Sequence, residues 1–332
     1  MKQAARTAHR NSSQSGVAHA QLYPMASTPA KITKPPRSRS FWRDTRDGYF
    51  FIAPVVLGLL IWTSFPMIAS LILSFTDYPI LKSPKWVGVQ NFVDMFTIPT
   101  LRVMQSLSVT MVFAITSVPL TLVAALGAAL LLNQKLRGMN FFRTTFYLPT
   151  IVPALASAFV WGWLLNPQFG LVNSILGQLG LPKGEFFTGT SSALPTLIFL
   201  SLWGIGPTMV VFLAGLQSIP ESLYEAGKID GANGAQLFWN ITLPQLSPTI
   251  FYNLLTGIIG AFQYFLSAFV LTQGGPIFST FFYNLNLYEK AFKWQQMGLA
   301  SAMAWVMFAI ILVLTLILFK FSDALVYYEV KK

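Results

Sequence analysis

The chain has 332 residues, 54% of them hydrophobic and only 10% charged, with a mean hydropathy of +0.57. Soluble domains carry about 25% charged residues, so this composition excludes an ordinary soluble domain and describes a polytopic membrane protein. The net charge of +11 comes largely from one terminal stretch and gives no reason to expect a nucleic-acid partner, while the absence of cysteine excludes a disulfide framework, a thiolate metal site and a cysteine nucleophile.

Residues 1–46 are rich in Ser, Thr, Ala, Gln, Pro and basic residues and lack the apolar periodicity of a packing helix, so they read as a disordered basic tail. No apolar run follows the first charges closely enough for a signal peptide, and Met25 is a candidate start. Both histidines, His9 and His19, fall in this tail, and no role is expected of them.

Six apolar stretches follow, at about 49–75, 104–132, 144–165, 193–217, 248–272 and 298–320. Each reaches the roughly 20 residues needed to cross about 30 Å of hydrocarbon, although polar or helix-breaking residues interrupt the third and fourth. The predicted fold is all-α, with six transmembrane helices in one domain over 47–325 and a short cytoplasmic end at 326–332. An even number of spans puts both termini on one side. Lys and Arg number sixteen on that side and six on the other, which assigns both termini to the cytoplasm. The outer loops are then about 76–103, 166–192 and 273–297, and Trp42, Trp86 and Trp294 fall at the membrane interfaces.

Apart from Lys320 at the end of the last span, no Asp, Glu, Lys, Arg or His lies in the six stretches. Ion-driven pumps usually carry such groups at a cost of about 2.5–3.5 kcal/mol each, and an intramembrane enzyme needs them as acid, base or nucleophile. No Gly-rich loop ending in Gly-Lys-Ser or Gly-Lys-Thr is present, so the chain does not bind ATP by that device.

The spans do carry neutral polar and small residues. In the fifth, Asn253, Gly257, Gly260 and Tyr264 share one helical face, with Gln263 close by. That stripe suits either helix packing through small residues or a polar path for an uncharged, hydroxyl-rich substrate. In the fourth, the run Ser201 to Thr208 must break helical hydrogen bonding near Pro207, and irregular backbone at membrane depth survives only where protein or a cavity covers it. Trp203 there is either a stacking surface for a sugar face or a packed aromatic.

Between the fourth and fifth spans lies a soluble-looking helix-turn-helix. Ser218, Pro220 and Glu221 read as a helix start with a Ser cap, and Gly231 as its left-handed end. Asn233 is a second cap with Gln236 as its return partner, and Leu243-Pro244 is expected to end that helix before the fifth span. Glu221, Glu225 and Asp230 against one Lys228 match an anionic leaflet poorly, whereas Ala226, Gly227 and Gly231 present a slim profile that suits a protein groove.

In this loop Glu225, Ala226, Gly231, Ile241, Leu243 and Pro244 match a Glu-Ala-Ala, three residues, Gly, nine residues, Ile, one residue, Leu-Pro pattern. On these residues the chain resembles the permease subunits of binding-protein-dependent ABC importers, with Gly227 departing from the second Ala. Phe75-Thr76-Asp77-Tyr78, Val87-Gly88-Val89-Gln90-Asn91-Phe92, Leu271-Thr272-Gln273-Gly274-Gly275-Pro276 and Tyr288-Glu289-Lys290-Ala291-Phe292 look like the sugar-importing, maltose and glycerol-phosphate type members. The similarity covers roughly residues 48–325.

The resemblance implies a type I importer permease fold in a bacterial or archaeal cytoplasmic membrane, with a cytoplasmic coupling helix. It implies a second homologous permease subunit, two cytoplasmic ATPase subunits that hold ATP and Mg, and an extracytoplasmic solute-binding protein. This chain would then be no enzyme and would hold no cofactor or metal of its own. The 218–247 loop would dock on an ATPase subunit through Glu225, Ala226, Gly227, Asp230, Gly231, Ala232, Ile241, Leu243 and Pro244. Trp203, Thr208, Asn253, Gly257, Gly260, Gln263 and Tyr264 are the candidates for the path of a small-molecule sugar. A secondary transporter or channel, or an importer permease for a non-sugar solute, stands as the alternative.

Overall fold

The computed structural model describes residues 39–134 and 136–322, with side chains from residue 45 onward. Residues 1–38 of the basic tail, with both histidines and Met25, together with Lys135, the indole of Trp42 and the 326–332 end, lie outside the described residues, whereas residues 39–46, expected to be disordered, are helical. Four helices are long and apolar enough to cross a membrane, or six if each of two bent pairs counts as one span.

The chain divides into two units at Leu60. Before that point the described residues form one helix, α1 (Arg39–Leu59), which contains Pro54 and displays Tyr49, Phe50, Phe51 and Val55 on its surface. Exposed aromatic and branched side chains of this kind suit lipid as their solvent.

The second unit opens with a π turn, Leu60–Ser64, and α2 (Phe65–Leu73). A two-residue hairpin follows, β1 (Thr76–Asp77) paired antiparallel with β2 (Lys85–Trp86), then α3 (Gln90–Thr97). Next comes the 30-residue α4 (Val103–Leu132), against which most of the unit packs. Toward its C-terminus α4 buries Ala125, Ala128 and Ala129 against Met209, Phe212, Leu213 and Leu216. Helices have no hydrophobic drive to associate in lipid, so small residues that let backbones approach supply the packing.

The third apolar stretch is not one straight helix. It is α5 (Met139–Tyr147), a 3-10 turn at Leu148–Thr150, and α6 (Ala154–Leu164), bent by 92°. Pro149 and Pro153 bracket the bend, each removing an N–H from the ladder and restricting the residue before it. After α7 (Leu171–Gln178), the fourth stretch is α8 (Ala193–Ser201), a 3-10 turn at Leu202–Gly204 and α9 (Gly206–Ser218), bent by 49°. The fifth, after a connection described below, is α13 (Ser247–Phe262) and α14 (Leu266–Leu271), interrupted at Gln263–Phe265. The sixth is α16 (Met297–Lys320).

The expected outer loop 273–297 is in fact a packed element. It holds α15 (Tyr283–Tyr288), whose Tyr283 N–H donates to Thr110 Oγ1 at 2.9 Å while the Tyr283 hydroxyl donates to the Met303 carbonyl at 2.9 Å. Asn286, fully buried, donates through Nδ2 to the Leu101 carbonyl at 2.9 Å. Before it, the Gly-Gly-Pro turn is closed by the Thr280 hydroxyl on the Gly275 carbonyl at 2.7 Å, and the Arg102 guanidinium lies 3.6 Å over the Phe278 ring. On the π turn Glu289–Lys293, burial holds the Lys290 ammonium below its ordinary pKa, with Glu289 opposing the shift.

The Asn286 contact yields a direct test. Asn286→Leu strands the Leu101 carbonyl in a buried setting, which costs about 1–3 kcal/mol. The thermal midpoint of the detergent-purified protein should fall clearly, whereas Gln105→Ala, at an exposed position, should leave it within error.

Candidate docking loop and translocation cavities

The connection between the fourth and fifth stretches begins with α10 (Glu221–Ile229). Its N-cap is Pro220, not a Ser-capped box: α9 runs on through Ser218, whose hydroxyl is taken by the Gly215 carbonyl at 2.7 Å. Glu221 in the first turn complements the helix dipole instead. At the other end Gly231 takes a left-handed φ of 79°. The Ala232 N–H reaches the Gly227 carbonyl at 2.9 Å and the Gly231 N–H reaches Lys228 at 3.1 Å, the paired bonds of a Schellman end.

The second helix, α11 (Gly234–Leu237), starts with a reciprocal capping box between Asn233 and Gln236. It does not stop at Leu243-Pro244. A π turn, Phe238–Thr242, leads into α12 (Leu243–Gln245), and Leu246 then bonds back to Thr242 at 2.9 Å, so helical structure runs on into α13. The π turn just ahead of Pro244 takes up the register change that a proline without an N–H imposes.

The nominated docking residues separate into two sets. Glu225, Ala226, Asp230 and Gly231 are exposed, together with Lys228 and with Ile229 at 86% exposure. Gly227, Ala232, Ile241, Leu243 and Pro244 are half-buried and face into the loop or the base of the bundle. A methyl on Gly227 would stand 2.7 Å from Leu237 Cδ2 and 3.1 Å from Ile241 Cδ1. The glycine that departs from the family pattern is therefore the seam through which α10 lies against the helix that follows it.

The path residues also divide. Thr208, Asn253, Gly257, Gly260 and Tyr264 line one cavity of about 160 Å³, joined by Ser117 and Thr121 of α4 and by Ser201. Ser117 and Thr121 stand four apart in α4, a spacing that places both on one face and that sequence reasoning passed over. Asn253 is 4% exposed and its Nδ2 has no hydrogen-bond partner within the described residues. Trp203 lines a second cavity, of about 280 Å³, where it meets Trp161 edge to face at 5.3 Å between ring centroids. Ser201 and Tyr264 border both cavities, and neither lining contains a charged side chain. Gln263 caps α13, is exposed and borders neither.

Tyr264 does not lie in the helix that carries Asn253; it sits in the interruption between α13 and α14. Its ring packs 4.4 Å from Phe113 and 5.0 Å from Phe282. The second cavity is bounded by Pro149 and Thr150 from the first bend, Trp203 and Gly204 from the second, Tyr264 from the interruption and Ser267 from α14. These three departures from helical geometry therefore meet around one space.

The two glycines of the stripe have different surroundings. A Cβ on Gly257 would lie 3.1 Å from Val118 Cγ1, whereas one on Gly260 meets nothing within 4 Å. Gly257→Leu should cost about 1–3 kcal/mol by overpacking and lower the melting midpoint in detergent. Gly260→Leu points into open space and should melt close to the parent protein.

Comparison with known proteins agrees with this arrangement. Residues 117–327 match the family model described as binding-protein-dependent transport system inner membrane component. The probable ABC transporter permease protein YesP of Bacillus subtilis is 45% identical over 300 residues, 89% of this chain and 96% of that one. The probable starch degradation products transport system permease protein AmyD of Thermoanaerobacterium thermosulfurigenes is 33% identical over 288 residues, 85% of this chain and 95% of that one. Among solved structures, a chain of a bacterial alginate ABC transporter, crystallised with an alginate pentasaccharide-bound periplasmic protein, shares the fold with a TM-score of 0.77 at 23% identity, covering 88% of this chain and 100% of that one. The chain belongs to the family of binding-protein-dependent transport system inner membrane components, the permeases of ABC importers.

Proposed function

We propose that this chain forms half of the translocation path of a carbohydrate importer and takes its driving force from a cytoplasmic ATPase through α10. The observation that carries the reading is the exposed set Glu225, Ala226, Lys228, Ile229 and Asp230 on and beside a capped helix, joined by the turn 230–233 to the helical run that leads to a neutral polar cavity. In this reading Glu225 pairs with a basic residue of the ATPase and Ile229 enters an apolar part of the same cleft. ATP and Mg belong to the two ATPase subunits, and a second permease supplies the other half of the path. An extracytoplasmic binding protein delivers the solute at the hairpin end, and both termini lie in the cytoplasm of a bacterial or archaeal cell.

Carbohydrate is the cargo that the cavity chemistry favours. Hydroxyls and an amide from Ser117, Thr121, Ser201, Thr208 and Asn253, with Tyr264 and Trp203 as flat apolar faces, suit a neutral molecule with hydroxyl edges and C–H faces. A cationic cargo would call for carboxylates along the path, and the lining has none. The similarity to AmyD, a probable permease for starch degradation products, and to a chain of an alginate transporter points the same way.

Mild-detergent purification of the tagged chain from its native membrane should recover an ATPase and a second multi-span protein in stoichiometric amounts. Recovery of a stable, lone chain would favour a secondary transporter. Glu225→Lys should leave the chain in the membrane but abolish ATP-driven uptake, and wild-type uptake by that variant would count against docking through α10. Tyr264→Ala should reduce uptake by at least tenfold while the ATPase still co-purifies.

A further inference from the structure

A directional polar contact ties α10 to the helical run that leads into α13. The Tyr224 hydroxyl lies 3.0 Å from Thr242 Oγ1, across 18 residues of chain. Thr242 Oγ1 also lies 3.4 Å from the Leu237 carbonyl, which can only accept. Either hydroxyl can donate in the Tyr224–Thr242 bond, so loss of either one removes it. The other seam between α10 and the following helix, Gly227 against Leu237 and Ile241, is apolar. An apolar seam permits sliding along the helix axis, whereas a hydrogen bond fixes register along it.

Thr242 stands at a sensitive place. It is 5% exposed and closes the π turn Phe238–Thr242. Its carbonyl accepts from Leu246 N–H at 2.9 Å, and the Leu246 carbonyl accepts from Ile250 N–H at 2.8 Å. Leu246, fully buried, packs among Leu216, Leu213 and Ala129. From Thr242 helical structure continues to Phe262, roughly 30 Å at 1.5 Å per residue, and carries Asn253, Gly257 and Gly260 to the cavity. Local order in the loop does not depend on the Tyr224 contact, since the Schellman end at Gly231 and the capping box at Asn233 hold each helix separately.

We infer that Tyr224 and Thr242 are positioning residues that form a strut, transmitting displacement of α10 into α13 and so into the cavity. The inference rests on the docking reading of α10.

The test uses the intact complex purified from native membranes. The chain has no cysteine, so Gly260→Cys places a single thiol in this subunit at a point open to the cavity. Its labelling by a small methanethiosulfonate reagent is followed by mass spectrometry, with and without ATP plus orthovanadate. Nucleotide should change the labelling rate of the parent Gly260→Cys complex. Adding Tyr224→Phe or Thr242→Val should shrink that change by about fivefold to tenfold, the scale of one lost hydrogen bond. ATPase co-purification and ATP hydrolysis should persist, Thr242→Ser should keep the full response, and the double variant should be no worse than either single one. A full nucleotide response in both single variants overturns the strut, as do losses that multiply in the double variant. Loss of the response together with loss of the ATPase subunits reduces the pair to a structural contact and also overturns it. A parent complex that carries an ATPase but shows no nucleotide response at residue 260 overturns the transmission to the cavity alone, whereas absence of any ATPase removes the docking reading itself.

Discussion

The constraint on which this structure depends is that backbone N–H and C=O groups have no water to bond to in hydrocarbon, so each departure from helical geometry must be covered by protein or open onto a cavity. Besides the π turn at Leu60–Ser64, the described spans depart from regular α-helix at Leu148–Pro153, at Leu202–Ile205 and at Gln263–Phe265. Pro149, Thr150, Trp203, Gly204 and Tyr264 all border one cavity, so the three interruptions share a single space. Irregular backbone is tolerated where it surrounds a cavity, and the cavity lies where the helices give way.

Around that space the packing follows the same economy of polar groups. Small residues on α4 let α9 approach at one end, and at the other end buried amide and hydroxyl groups hold α15 between α4 and α16. One long helix, α4, thus carries both cavity-lining residues and residues that fasten α15. Ser106 and Thr110 serve the fastening, Ser117 and Thr121 the cavity, and Ala125 to Leu132 the seam with α9. The loop that meets the proposed motor is joined to the same framework through the helix run that begins in the π turn at Phe238.

Some sequence expectations needed correction for identifiable reasons. Ser218 looked like a cap because Pro and Glu follow it, yet the helix before it continues and takes its hydroxyl. Leu243-Pro244 looked like a stop, but a π turn ahead of the proline absorbs the missing donor. Gly227 reads in the sequence as a departure from the family pattern, and in the structure it is the place where Leu237 and Ile241 fit. Gln263 seemed to belong to the polar stripe by spacing, but the helix ends there and turns it outward. Local rules describe what a residue prefers, and in each case a neighbour distant in sequence or a change of helical register decided the outcome.

By itself the sequence determined the solvent of this protein, the number and limits of its apolar stretches, the absence of charge within them, and the spacing that marks the docking loop. These are properties of composition and periodicity, and they follow from the cost of placing polar groups in hydrocarbon. Only the tertiary structure decided which small and polar residues face one another. Gly257 meets Val118 whereas Gly260 meets nothing, Trp203 and Asn253 fall in different cavities, and Tyr224 reaches Thr242. Those pairings depend on the angles of the breaks and on which helix lies alongside, and a one-dimensional pattern carries neither quantity.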